Sequence, residues 1–132
     1  MATSTLEEIL PCGIQKVWEL VTDVARYPQW RSDLSRTEIL RSDQFVEYTK
    51  DGIATTFTVT AVEPNRRWEF DMVNEKMHGH WTGLFSQQGG QTRISFTEKV
   101  IADRFYMAPF VKAYLQKQQK QFILDLKKAL QC

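Results

Sequence analysis

Apolar residues change their spacing along the chain, and each change marks a different kind of element. A short extended opening over residues 3–9 is stopped at Pro11. Over residues 14–24 the apolar positions follow the i, i+3, i+4, i+7 spacing of a helix that buries one face. Pro28 disfavours helical geometry in the residue before it, so this helix is predicted to end around residues 24–27. Residues 27–30 are predicted as a turn or a very short second helix.

After residue 30 the apolar period becomes two, which is typical of strands with one buried face. Short turn-forming pairs such as Asp51-Gly52 and Gly89-Gly90 separate these segments. Connections this short join antiparallel neighbours, since parallel strands need long crossovers. The alternation predicts a sheet that is covered on one side only. The predicted strands are residues 37–40, 45–50, 54–62, 67–73, 78–86 and 93–100.

The last element is predicted as one long helix over residues 109–130. Pro109 suits the first helical turn, where its missing N–H costs little. Lys127 and Lys128 fall in the last turn, where the helix dipole favours cations. Its apolar face consists of Phe110, Val111, Tyr114, Leu115, Phe122, Ile123, Leu126 and Leu130.

This order of elements predicts an α+β fold, a curved antiparallel sheet of six to seven strands wrapped around the C-terminal helix. One or two short helices follow the first strand. The chain has 132 residues, the size of one domain, and no linker or internal repeat. We therefore expect residues 1–132 to form a single domain.

Composition and charge narrow the range of partners. A net charge of +1 argues against nucleic-acid binding, which usually requires a basic face. The arginines, Arg31 among them, are spread along the chain and are interpreted as solvated surface. No apolar run reaches the roughly 18 residues of a membrane span, so we expect no stable membrane insertion. With no visible signal peptide, Cys12 and Cys132 are expected to be free thiols in a cytoplasmic protein.

Two motifs connect the chain to a known family. Asp23-x-x-x-Tyr27-Pro28-x-Trp30 follows the first helix, and a Gly-rich hairpin over residues 87–93 ends in Thr-Arg. Together with the order of elements, they resemble the START-like (SRPBCC, helix-grip) superfamily, in particular its polyketide cyclase/dehydrase and coenzyme-Q-binding branch. The resemblance covers nearly the whole chain. It implies a cavity between sheet and helix for a lipid, quinone or polyketide, in proteins that are carriers or enzymes.

Bulky residues on the inner faces fit either a packed core or the walls of such a cavity. The resemblance favours the cavity. Gly79 and Gly83 share the strand face of Trp81 and are interpreted as sites where the sheet bends. The candidate ligand-binding residues are Trp30, Phe57, Trp68, Phe70, Met72, Trp81, Phe85, Phe96, Phe110, Tyr114 and Gln118.

Polar residues at inward positions are the candidates for chemistry. Gln118 and Gln119 interrupt the apolar face of the last helix, and each needs a hydrogen-bond partner, which is a ligand, water or a strand. Glu98 shares the parity of Phe96 and is a weak catalytic candidate, because a buried carboxyl can act as general acid or base. The alternative is a strand-end charge that reaches water, and Glu47 has the same two interpretations.

His78 and His80 lie two apart on one strand, a spacing that suits a metal. Their parity is opposite to that of Trp81, so they are expected outside, and no third ligand is evident. We therefore predict no metal site and no cofactor. Asp23 is expected to anchor the turn around Tyr27 and Trp30.

Three functions remain open. The first is binding or carriage of a hydrophobic small molecule, with affinity from apolar burial. The second is a cyclase/dehydrase-type enzyme in which Glu98 moves a proton; a raised pKa at an inward Glu98 or Glu47 would favour it. The third is an interaction module with a packed interior. The sequence carries no prediction of oligomeric state.

Overall fold

The computed structural model describes residues 1–132 as one seven-stranded antiparallel sheet with three α-helices, as predicted. Strand order across the sheet is β1-β7-β6-β5-β4-β3-β2. Single 3-10 turns precede the second and third helices. The elements are β1 (Ala2–Leu10), α1 (Ile14–Thr22), α2 (Tyr27–Trp30), β2 (Leu34–Arg41), β3 (Gln44–Thr49), β4 (Ala54–Glu63), β5 (Arg67–Val73), β6 (Met77–Gln88), β7 (Gln91–Ala102) and α3 (Ala108–Leu130).

The strands β2 to β7 follow one another as hairpins, and β1 closes the far edge on β7. The opening strand is longer than residues 3–9, because its register with β7 runs unbroken from Ala2 opposite Val100 to Leu10 opposite Thr92. The predicted turns are present. Gly52 has a φ of 90° and Gly89 a φ of 61°, left-handed values that glycine adopts without strain.

The helix α3 is unbroken through Gln118, and its two halves cover different parts of the sheet. In its C-terminal half, Ile123, Leu126 and Leu130 join the main core. In its N-terminal half, Val111 and Leu115 pack against Val100 of β7 in a separate small cluster. The helix therefore lies along one side of the curved sheet. No helix of the protein is both long and apolar enough to cross a membrane.

The turn around α2 is anchored by aromatic contacts. Trp30 lies edge-on to Tyr27 at 5.5 Å and to Phe122 of α3 at 5.4 Å between ring centroids. The hydroxyl of Tyr27 donates to the carbonyl of Val21. Asp23, expected to anchor this turn, makes no side-chain capping bond and pairs only with the exposed Arg26, at 3.3 Å. These contacts connect the short helices to α3.

The two inward glycines of β6 permit close packing. A Cβ at Gly83 would overlap the indole of Trp81, and a Cβ at Gly79 would overlap the carbonyl oxygen of Lys99 on β7. Both positions therefore require glycine because a neighbouring group occupies the space. Close packing is therefore a reason for these two glycines in addition to the bending of the sheet that the sequence predicts.

The expectation of free thiols is wrong. Cys12, just before α1, forms a disulfide with Cys132, just after α3, with the two Cα atoms 5.6 Å apart. The residues are close because α3 returns its C-terminal end to the start of α1. Since disulfides persist mainly in oxidising compartments, the cysteines no longer favour a cytoplasmic location.

Candidate functional site

A cavity of about 760 Å³ lies between the curved sheet and α3. It forms because α3 packs closely against the β1–β7 side, while β3, β4 and β5 curl away from its N-terminal half. The walls are mostly aromatic and aliphatic. They include Phe57, Trp68, Phe70, Met72, Trp81 and Phe96 from the sheet, with Val111, Leu115 and Phe122 from α3.

Most of the candidate ligand-binding residues face this cavity. Beyond the sheet residues just named, Phe110, Tyr114 and Gln118 also line it. Trp30 and Phe85 lie outside the lining: Trp30 packs behind Phe122, and Phe85 packs against Trp18 at 5.0 Å. The alternation of strand residues therefore identified inward positions without distinguishing the cavity wall from the solid core below it.

The mouth of the cavity is at the start of α3. Phe110 is 71% exposed and Tyr114 39% exposed although both line the cavity, so their rings form its rim. The side-chain amide of Gln118 donates to the Tyr114 hydroxyl at 2.8 Å, and this pair lies on the same rim. Lys76 and Lys117 are the exposed cations of the lining.

Arg31 is the main functional candidate that sequence reasoning missed. Its guanidinium lines the cavity, and its side chain is only 12% exposed instead of solvated. Nη1 donates to Glu47 Oε2 at 2.8 Å. Nη2 and Nε donate to the two carboxylate oxygens of Asp33 at 2.9 and 3.3 Å. In the sequence, only its position next to Trp30 could have indicated that Arg31 points inward. Its partner Glu47 is 16 residues away and becomes evident only in three dimensions.

Neighbouring contacts fix Arg31 in place. The backbone N–H and the hydroxyl of Ser32 both donate to Asp125 of α3, at 2.8 and 2.9 Å. The guanidinium carbon lies 5.0 Å from the centre of the Tyr27 ring and 5.2 Å from that of Phe122. Such contacts between a cation and aromatic rings are favourable, more so away from water. The segment after α2 is therefore held against α3, with Arg31 directed inward.

Glu47 faces the interior and is 8% exposed. Burial raises the pKa of its carboxyl, while the Arg31 guanidinium beside it acts in the opposite direction. A buried charge of this kind persists when it is paired and hydrogen-bonded. Of the two interpretations of Glu47, the structure therefore supports the inward one, with a role in holding Arg31.

Glu98 opens onto the cavity, opposite Trp81 in the β6–β7 register, instead of reaching water at the strand end. Burial raises its pKa to about 7; Arg31 lowers the value and Glu47 raises it. No hydrogen-bonding group of the protein offsets the effect of burial. The carboxyl can therefore take up or release a proton near neutral pH.

The remaining polar candidates have structural partners. Gln119 is buried and donates to the carbonyl of Ser4 at 3.0 Å, while its own oxygen accepts from the Ser4 hydroxyl at 2.7 Å. This pairing ties α3 to β1. His80 bridges Asp71 and Glu69 on the outer face, each at 2.7 Å, and His78 pairs with Asp103 at 2.8 Å. No three His, Cys, Asp or Glu side chains are arranged so that they could hold a metal ion.

Solved structures share this architecture at low sequence identity. A START superfamily protein from Mycobacterium smegmatis superimposes with a TM-score of 0.91 at 12% identity, covering 99% of this chain and 98% of its own. The Zhui aromatase/cyclase from Streptomyces sp. R1128 gives 0.88 at 10% identity, covering 98% and 93%. An uncharacterised protein from Rhizobium leguminosarum gives 0.76 at 21% identity, covering 98% and 94%. At these identities the likeness shows the helix-grip fold.

Sequence comparison places the chain more specifically. No curated protein matches it. The family model described as polyketide cyclase/dehydrase and lipid transport matches residues 1–131, almost the whole chain. The protein therefore belongs to the polyketide cyclase/dehydrase and lipid transport family.

Proposed function

We propose that this protein binds and holds a lipophilic small molecule in the cavity between the sheet and α3. The observation that carries the proposal is a cavity of about 760 Å³ with a mainly apolar wall and one polar cluster. Small-molecule sites typically combine such a wall with a few polar groups that fix orientation. The ligand's apolar part would contact Trp68, Phe70 and Trp81, and its polar part would lie near Arg31 and Glu98.

Binding is measured with Nile red, a neutral dye whose emission increases in apolar surroundings. Met72→Trp places a larger side chain on the cavity wall and is expected to weaken binding at least about tenfold, or 1.4 kcal/mol. Ala113→Trp is the matched control, because Ala113 is exposed on α3 and outside the lining. Equal binding by both variants would contradict the proposal, provided that circular dichroism shows both to be folded.

The tryptophans provide a second measurement. Trp68 and Trp81 line the cavity, whereas Trp18 and Trp30 do not. Intrinsic fluorescence should therefore change when the dye is bound, and the change should diminish in Trp68→Phe but persist in Trp18→Phe. A change that depends on Trp18 instead would place the dye near α1, outside the cavity.

Glu98 supports a second candidate function, catalysis of the cyclase/dehydrase type. A carboxyl with a pKa of about 7 in an apolar cavity is suited to both accept and donate a proton at neutral pH. In a dehydration, the carboxylate would remove a proton from the carbon next to a carbonyl and return it to the departing hydroxyl. Water then leaves, and Glu98 is regenerated as a carboxylate.

Glu98→Gln distinguishes the two candidates. The variant keeps the size and polarity of the side chain but cannot exchange a proton. Under the carrier function, Nile red binding is retained and no substrate is converted by either protein. Under the enzyme function, wild-type protein converts a β-hydroxy carbonyl polyketide analogue, and the variant loses at least about a hundredfold in rate, the usual contribution of general acid–base catalysis.

A further inference from the structure

The polar end of the cavity contains more acid than base. The side chains that face it are one guanidinium, that of Arg31, and three carboxyl groups, those of Asp33, Glu47 and Glu98. When all are ionised the acids exceed the base by two charges, and when Glu98 is protonated they exceed it by one. An incoming head group therefore meets no uncompensated positive charge at this end.

The guanidinium of Arg31, the one cation at this end, already has two carboxylate partners. Both terminal nitrogens and Nε of Arg31 already donate to Glu47 and Asp33, at 2.8 to 3.3 Å. The rings of Tyr27 and Phe122 lie against the guanidinium. Three of its five N–H groups are used in these bonds, so two remain for a ligand. A carboxylate that accepted from them would add a further negative charge beside Glu47 and Asp33, which already exceed the one positive charge of Arg31.

Glu98 is the free group at this end. It has no partner in the protein, so its oxygens are available to accept a hydrogen bond or to pair with a cation. An ammonium or hydroxyl head can donate to it. A carboxylate head would face it as a like charge, in surroundings where water screens little.

On the assumption that the cavity is the binding site of the proposed function, we propose a class of ligand. The ligand carries a hydrogen-bond-donating head, either a cationic amine or a neutral hydroxyl or phenol, which points at Glu98. Long-chain carboxylates are disfavoured. This selectivity follows from the placement of the four charged side chains.

The lysines at the mouth of the cavity are positively charged, whereas the polar end inside has a net negative charge. Lys76 and Lys117 line the cavity but are exposed, so they attract anions only at its entrance. At 0.15 M salt, charges in water are largely screened beyond about 8 Å. Measurements at this salt concentration therefore report the interior groups more than the entrance.

The experiment compares three amphiphiles with the same twelve-carbon chain as competitors of Nile red: dodecylamine, dodecanol and dodecanoate. At pH 8 and 0.15 M salt we expect the amine and the alcohol to bind at least about tenfold more tightly than the carboxylate. Dodecanoate binding as tightly as the others would overturn the inference while leaving the proposed function intact. Nile red bound with no competition by any amphiphile would also overturn it. Absence of Nile red binding would instead contradict the proposed function.

A substitution tests whether Glu98 is the recognising group. In Glu98→Gln the preference for amine over alcohol should fall at least about fivefold, because the ion pair is lost while the hydrogen bond remains. Glu75→Gln makes the same chemical change on an exposed carboxyl outside the lining and should leave the preference unchanged. Equal effects of the two substitutions would show that general surface charge, not the cavity, sets the selectivity.

The pH dependence gives an independent measurement. Because the pKa of Glu98 is about 7, amine affinity relative to that of the alcohol should rise between pH 6 and 8, as the carboxyl ionises and the amine stays charged. The other titratable groups that line the cavity are Tyr27, Arg31, Asp33, Glu47, Lys76, Tyr114 and Lys117. The same rise in Glu98→Gln would assign the titration to one of them and overturn the role of Glu98.

Discussion

Arg31 organises the polar end of the cavity. It holds two carboxylates, one from the segment after α2 and one from β3, and its own side chain is 12% exposed. The sequence indicated the inward position of Glu98 and left that of Glu47 open, since strand alternation determines which face a residue occupies. It gave no such information for Arg31, which lies in an irregular segment with no period. Its charge made a surface position the default, and its interior partners lie on separate elements.

Removing Arg31 alone should destabilise the protein. In Arg31→Leu, Glu47 is left buried without its partner, and breaking such a pair typically costs about 3–5 kcal/mol. The loss of unfolding free energy should be greatest at high pH and smaller at pH 5. Burial raises the pKa of Glu47, and a protonated carboxyl needs no counter-charge. Urea titration at both pH values measures this. A double variant, Arg31→Leu with Glu47→Leu, should recover part of the loss; no recovery would show that Arg31 contributes mainly through packing.

Glu98 should limit stability at neutral and higher pH. Its pKa is about 7 in the folded protein against an ordinary value of 4.5 for glutamate, so its folded form prefers to stay protonated. The free energy of unfolding should therefore fall as pH rises from about 4.5 to 7, by about 2–3 kcal/mol from this group. Glu98→Gln should match wild type at pH 4 and exceed it at pH 8. Equal stability at pH 8 would mean that Glu98 is well solvated, and Glu75→Gln provides the control.

At the scale of elements, the sequence predicted each strand and helix, with strand ends displaced by no more than three residues. The first helix ends earlier than predicted, at Thr22 instead of residues 24–27. The alternation of apolar residues, the turn-forming pairs and Pro109 each involve residues close together in sequence. Features of this local kind determine where strands and helices occur. β1 extends one residue beyond each end of the predicted segment, because its length is determined by pairing with β7, at the far end of the chain. The disulfide could not be predicted for the same reason: Cys12 and Cys132 meet only when α3 returns to α1.

The Cys12–Cys132 disulfide should stabilise the packing of α1 against the end of α3. It joins residues 120 positions apart, and restricting so long a loop in the unfolded chain typically contributes about 2–4 kcal/mol. We expect Cys132→Ser to lower the melting temperature by several degrees and to make it insensitive to dithiothreitol. Wild-type protein should lose the same amount on reduction. Two reactive thiols per chain in air-oxidised native protein would contradict the disulfide.

At the scale of the whole molecule, the interior is solid at one end and hollow at the other. Ile123, Leu126 and Leu130 fill the space between α3, α1 and the sheet, whereas the N-terminal half of α3 adds only Val111 and Leu115 to a small cluster around Val100 of β7. Residue types could not distinguish these regions, since Phe85 in the solid part and Phe70 on the cavity wall are both buried aromatics on inward strand positions. The difference depends on the curvature of the sheet, to which all strands contribute.

A ligand in such a cavity contacts strands and helix together, so it should stabilise the molecule as a unit. Dodecanol at a hundred times its dissociation constant adds about 2.7 kcal/mol to the free energy of unfolding. Amides that exchange only through global unfolding should then exchange about a hundredfold more slowly in hydrogen-exchange mass spectrometry. This slowing should extend to Leu10 of β1 and Leu130 of α3, in the solid core, as well as to β4 and β5. It should be much weaker in Met72→Trp. Equal slowing in Met72→Trp at the same dodecanol concentration would indicate that the alcohol binds outside the cavity.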